Sequence, residues 1–165
     1  MRRALLAVLI LWPALAQSPR VANFGEVDAG VMYRGAQPSR AGLLDLKKAG
    51  IRTVVDLRGY RARGERRAVE ALGMRFVGFP LSGLRAPTGA EIDQVMEILD
   101  AAPKPVFVHC WHGEDRTGTV IACWRIRRDG WTRARALSEA SAFHMSPFQV
   151  GMRRFIARLN GDGSH

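Results

Sequence analysis

Cysteine is scarce in this chain: Cys110 and Cys123 are the whole supply in 165 residues. That excludes the disulfide-stapled scaffolds of small secreted domains. A bridge between the two is geometrically poor, because Cys123 falls about two turns along the helix expected to begin near Thr117. Cys123 therefore reads as a buried helix residue. Lysine is nearly absent too, confined to Lys47, Lys48 and Lys104. The positive charge is then almost wholly arginine, and 25 basic against 15 acidic residues leave a formal net charge of +10. Such a balance suits phosphates and other polyanionic ligands, or else marks an arginine-rich surface with no ligand at all. No basic strand studded with aromatics is present, which argues against stacking on nucleic acid bases. There is no metal-ligand spacing and no internal repeat, so neither a metal centre nor a cofactor is expected. Beyond residue 16 no apolar run approaches the length of a membrane span.

What is there begins with a leader. Met1-Arg2-Arg3 is a short basic start, residues 4–11 are apolar, and Ala14-Leu15-Ala16 is a small-x-small cleavage pattern. Together they predict a secretory signal peptide over residues 1–16, cut after Ala16. The apolar run is short and Pro13 follows closely, so no stable membrane anchor is expected after cleavage. No lipobox cysteine stands near the cut. The mature protein is expected in the periplasm or secreted, with an extended leader over 17–22, one domain over 23–160 and a loose tail over 161–165. The length and an apolar content of 47% suit one domain with a proper core.

The chain is organised around Val106-Phe107-Val108-His109-Cys110-Trp111-His112-Gly113-Glu114-Asp115-Arg116-Thr117-Gly118. It reads as an apolar strand, a short polar loop and the start of a helix. Successive N–H groups of such a loop can point inward at an anion, and the helix adds its positive end. The same groups favour Cys110 as a thiolate. Arg116 can offer a planar fork to two oxygens of a phosphate. Gly113 allows a tight turn.

Around that stretch the expected elements alternate. Residues 21–27 and 31–34 read as two short strands joined at Asp28-Ala29-Gly30. Ser39 can cap a helix closed by Gly50. Residues 51–57 form a buried strand, 61–72 a very basic helix and 74–79 another strand. Thr88-Gly89-Ala90-Glu91 is a capping box. Residues 105–109 are the strand that feeds the loop, 117–128 the helix that leaves it. Two more helices follow, capped at Thr132 and beginning at Pro147. The fold class is α/β, a single central, mostly parallel sheet with helices on both faces. Ligands in such sheets sit beyond the carboxyl ends of the strands. Cys110 lies at that edge, and so does Arg58, followed by Arg61, Arg63, Arg66 and Arg67. That cluster is either a solvated helix face or a rim that recognises a second phosphate.

The loop resembles the His-Cys-x5-Arg-Ser/Thr signature of cysteine-based protein-tyrosine and dual-specificity phosphatases, above all their small bacterial and plant-and-fungal atypical branch. The likeness extends to Tyr33-Arg34-Gly35-Ala36-Gln37-Pro38 and to residues 50–58, and spans about residues 23–128. It implies a protein-tyrosine-phosphatase-like fold and hydrolysis of phosphomonoesters through a phosphocysteine on Cys110. Arg116 and the amides of Trp111, His112, Gly113 and Glu114 would hold the phosphate, with Thr117 donating to the sulfur and His109 ordering the loop. The substrate would be a phosphoprotein, phosphotyrosine included, or an inositol phosphate or phosphoinositide. The general acid departs from the pattern, because the loop over residues 80–87 carries no acid. Asp115 takes its place, resembling the Cys-x4-Asp-Arg loops of myotubularin-like and Sac-type phosphatases. Asp93, His112 and Asp56 are the lesser candidates, and a structural role for Asp115 is the alternative. Two rival functions remain open, a rhodanese-like sulfurtransferase and a non-catalytic phosphate-binding module.

Overall fold

The computed structural model describes residues 18–58 and 62–160. The expected signal peptide, Gln17, Arg61 and the tail over 161–165 lie outside the described residues.

The elements run β1 (Gly25–Asp28), β2 (Met32–Gly35), α1 (Arg40–Lys48), β3 (Thr53–Asp56), α2 (Arg63–Ala71), β4 (Arg75–Gly78), α3 (Gly89–Ala101), β5 (Val106–His109), α4 (Asp115–Arg127), α5 (Arg133–Ala142) and α6 (Val150–Arg158). The described strands form one sheet in the order β1-β2-β5-β3-β4, in which only the β1–β2 pair is antiparallel. β5 is the middle strand. Its last residue, His109, pairs in register with Gly35 of β2 and with Asp56 of β3. The carboxyl ends of three strands thus meet where the Cys110 loop begins.

Side-chain alternation on β5 divides the core. Val106, Val108 and Cys110 face the cluster covered by α3, α4, α5 and α6. Phe107 faces the smaller cluster under α1 and α2, and His109 stacks on its ring at 5.6 Å. β3 divides in the same way, with Val55 in the first cluster and Val54 in the second.

The caps form where the sequence places them. Ser39 Oγ accepts from Gly42 N at 3.1 Å, and Thr88 and Glu91 exchange both bonds of a capping box. Several boundaries differ from expectation. The first strand begins at Gly25 rather than residue 21, because Asn23 adopts a φ of 53° that no strand accommodates. α6 starts at Val150 rather than Pro147, since residues 146–149 close a turn through Gln149 N to Ser146 O at 3.2 Å. α4 begins at Asp115, not Thr117, because the Glu114 carbonyl already accepts from Gly118 N at 2.6 Å. Asp115 and Arg116 therefore stand in the first helical turn.

Candidate active site

The loop after β5 is built on β2. Gly113 has a φ of +73°, and a Cβ there would lie 2.4 Å from both the carbonyl carbon and the oxygen of Gly35. Only glycine meets both demands. With the loop pressed onto the Gly35–Ala36 backbone, its carbonyls turn outward and find donors one after another. Gln37 N donates to Trp111 O at 3.0 Å, and Asn23 Nδ2 donates to His112 O and Gly113 O, each at 3.2 Å. Arg34 Nη2 donates to Gly113 O at 2.7 Å, and His109 Nδ1 stands 3.0 Å from Cys110 O. With Glu114 O held by Gly118 N, every carbonyl from Cys110 to Glu114 is engaged from outside the concave face.

The amides are the complement. Among the described residues, none of the N–H groups of residues 111–116 has a protein acceptor. A ring of unclaimed donors at a helix N-terminus is an anion site by construction. Cys110 is a free thiol, 3% exposed, at the start of that ring. Thr117 Oγ1 is buried with no hydrogen-bond partner. The Arg116 guanidinium makes no hydrogen bond or ion pair to any described residue, and lies against the 80–87 loop, its carbon 3.7 Å from where a Gly83 Cβ would stand. Its fork is open to a ligand.

Arg58 is placed differently. It is buried, and its Nε and Nη2 donate to Asp56 Oδ1 and Oδ2 at 2.8 and 3.0 Å. Nη2 also pairs with Glu65, and the guanidinium lies 4.6 Å from the centroid of the Trp111 ring. Its fork is filled by carboxylates, so its contact with the site runs through the Trp111 indole. The second Glu65 oxygen lies 2.8 Å from His109 Nε2. The approach is close but misaligned, for neither His109 Nε2 nor that Glu65 oxygen makes a hydrogen bond. Asp56, Glu65 and His109 lie close enough to hold a metal ion, but Arg58 already engages both oxygens of Asp56 and one of Glu65.

The candidate acids separate clearly. Asp115 is half-buried, and its Oδ1 accepts from Ser146 N at 2.8 Å; its other oxygen has no hydrogen-bond donor among the described residues. Asp93 is paired with Arg127 at 2.6 Å, and Asp56 is consumed by Arg58. His112 is exposed on the loop, as are Trp111 and, partly, Glu114. Of the basic helix, Arg63, Arg66 and Arg67 are exposed, with Arg66 over the Phe76 ring.

Asn23, Arg34, Gln37 and Glu65 were not singled out by motif reasoning. Arg34 and Gln37 stand in a stretch that the sequence marks, at the end of a strand beside the loop. Glu65 leaves no such signal, because its neighbour His109 comes from a distant strand.

A protein-family model described as "DSP-PTPase phosphatase fused to NAD+ Kinase" matches residues 16–157. The chain is 33% identical over 110 residues to "Dual specificity protein phosphatase TpbA" of Pseudomonas aeruginosa, covering 66% of this chain and 49% of that protein. It is 30% identical over 141 residues to "Inositol diphosphatase DSP1" of Oryza sativa, covering 81% and 62%. The crystal structure of P. aeruginosa TpbA superposes with a TM-score of 0.74 at 26% identity, covering 84% of this chain and 86% of that one. The chain thus spans about half of the first of these curated relatives and less than two thirds of the second.

Proposed function

The chain belongs to the DSP-PTPase phosphatase family, and from that premise we propose that it hydrolyses phosphomonoesters through a phosphocysteine on Cys110. One observation carries the reading: every carbonyl of the 110–114 loop is tied outward while the amides of residues 111–116 are unclaimed. The pattern is a preorganised cradle for three phosphate oxygens above a buried sulfur.

The steps follow from the placement. The Cys110 thiolate attacks phosphorus, and the bond to the leaving oxygen breaks. Asp115 gives that oxygen its proton from the carboxyl oxygen not held by Ser146. The same carboxylate then takes a proton from the water that displaces sulfur and releases phosphate. Arg116 and the amides hold the equatorial oxygens through both steps. The buried Thr117 hydroxyl donates to the departing sulfur. Both chemical steps use protein groups and water alone.

For substrates we infer a phosphorylated protein or an inositol phosphate, the two classes named by the relatives. A groove of about 430 Å³ lined by Gln37, Arg40, Glu65 and Arg67 favours a substrate carrying more than one phosphate. It adjoins the loop through Gln37, and Arg40 and Arg67 have no ion-pair partner among the described residues. Export to the periplasm or beyond is part of the proposal, supported by the basic start, apolar run and Ala14-Leu15-Ala16.

The test is a panel of phosphotyrosine and phosphoserine peptides, inositol polyphosphates and phosphoinositides offered to the chain from Gln17. Release of phosphate from one class, lost in Cys110→Ser, supports the reading. No release from any of them, with thiosulfate sulfur transferred to cyanide instead, replaces it with a sulfurtransferase.

A further inference from the structure

Arg34 is the most deeply buried arginine of the described chain, 1% exposed, and has no carboxylate of its own. It rises from β2 in register with Val108, on the face of the sheet that carries Cys110. Its Nη2 donates to Gly113 O at 2.7 Å and lies 3.8 Å from where a Gly118 Cβ would stand, between the loop and the first turns of α4. Its guanidinium carbon sits 4.0 Å from the Phe143 ring centroid. Nε and Nη1 are buried with no acceptor. A buried cation with two empty donors is costly unless an anion stands near.

The possible counter-charges are few. Glu139 of α5 faces Arg34, but Arg125 of α4 claims it, with Nη2 to Oε1 at 2.8 Å and Nε to Oε2 at 3.1 Å, and Arg125 holds Asp129 as well. On the loop, Asp115 is bonded to Ser146 N, while Glu114, His112 and Arg116 make no ion pair with any described residue. Behind the strand, Asp56 and Glu65 are engaged by Arg58. The remaining acidic group on this face is the Cys110 thiol, two residues beyond Val108, the register partner of Arg34. Burial pulls the guanidinium down to about 10, and Glu139 and Cys110 are what oppose that pull.

We propose that Arg34 is a positioning residue for the hydrolysis: its buried guanidinium, anchored on the Gly113 carbonyl, is a second cation beneath the loop that holds Cys110 in its thiolate form. This rests on the reading of Cys110 as the nucleophile and adds to it. Arg116 serves the phosphate from above, in the open; Arg34 serves the sulfur from below and never meets the substrate.

The test reads the thiolate without a substrate. Alkylation of Cys110 by iodoacetamide is followed against pH and located by peptide mass mapping. Cys123 stays silent, because burial pushes its thiol up to about 12. Arg34→Gln keeps a donor for Gly113 O and removes the charge; Arg34→Lys keeps the charge and loses the fork. The Gln variant is expected to move the alkylation midpoint up by about one pH unit or more, and the Lys variant by less than about a third of that. Turnover lost in the Gln variant should return as the pH is raised past the new midpoint, a rescue that a merely structural role does not allow. A folded Gln variant with an unmoved midpoint overturns the proposal, and so does a Lys variant that shifts as far as Gln. If the Gln variant does not fold, Arg34→Met removes the charge in its place: a midpoint raised by a similar amount supports the role, and an unmoved one overturns it. Midpoints that behave as expected in a chain that hydrolyses no phosphomonoester refute the proposed function and leave the role of Arg34 standing.

Discussion

At the scale of single residues the site divides its labour between side chains that are committed and side chains that are free. Arg58 and Arg34 are bound into the protein; Arg116 is not. Arg116→Lys should therefore lower kcat/KM by about 100- to 1,000-fold on every substrate, because an ammonium cannot present a planar fork to two oxygens. Steady-state kinetics check it. Asp115 allows a sharper separation. Asn at this position still accepts the Ser146 N–H through its amide oxygen but has no proton to give. Asp115→Asn should slow alkyl phosphates by about 100- to 10,000-fold while activated aryl phosphates, whose leaving oxygens depart without a proton, lose little. Equal losses on both substrate classes would return Asp115 to the role of a brace. Gly113→Ala should abolish activity without reference to chemistry, since its Cβ would stand inside the Gly35 backbone.

At the scale of elements, α2 is what holds the strand end in place. Glu65 reaches from it to Arg58 and His109 at once, and so ties α2 to β3, to β5 and, through His109, to the Cys110 carbonyl. Glu65→Gln removes one of the two carboxylates that hold the buried Arg58 guanidinium. It should cost about 3 to 5 kcal/mol of stability, read as a lowered urea midpoint, with kcat falling as the loop loosens. A second electrostatic prediction belongs to α3. Arg85 and the Thr88 cap hold the Glu91 carboxyl down to about 2 from its usual 4.5. A depressed acid contributes stability that is present above its unfolded value and is lost as the pH falls toward the folded one. Thermal melts should thus weaken between about pH 4.5 and 2, and Glu91→Gln should flatten that slope.

The elements also show what the sequence could and could not tell. The Cys110 loop, the capping box and the Ser39 cap were legible because each is a local pattern, in which the partners lie within a few residues. The mostly parallel sheet and the covering of both faces followed from alternation, whereas the strand order, with β5 between β2 and β3, did not. The start of α4 at Asp115 was not legible, because it depends on the Gly113 turn being pressed onto β2. Asn23 and Glu65 were invisible for a related reason: their partners arrive through the sheet, and no spacing along the chain announces them.

At the scale of the whole molecule the formal charge of +10 is distributed unevenly in its use. Many arginines are spent on carboxylates, as Arg125 is on Glu139 and Asp129. Arg40 and Arg67, beside the loop, are not. Arg40→Ala with Arg67→Ala should raise KM for an inositol polyphosphate several-fold and leave that for a singly phosphorylated peptide nearly unchanged, and added salt should mimic the double variant. Export is decided by N-terminal sequencing of protein from the native host: a chain beginning at Gln17 is expected, and a soluble product beginning at Met1 refutes it.

The central claim is that phosphate passes through the sulfur of Cys110. Acid quenching during turnover, followed by peptide mapping, reads it directly. The account predicts a phosphate ester of Cys110 that accumulates when Asp115 is replaced by Asn and disappears on chase with water, and no turnover in Cys110→Ser. Hydrolysis that continues in Cys110→Ser, with no phosphorylated peptide at any time point, would contradict it.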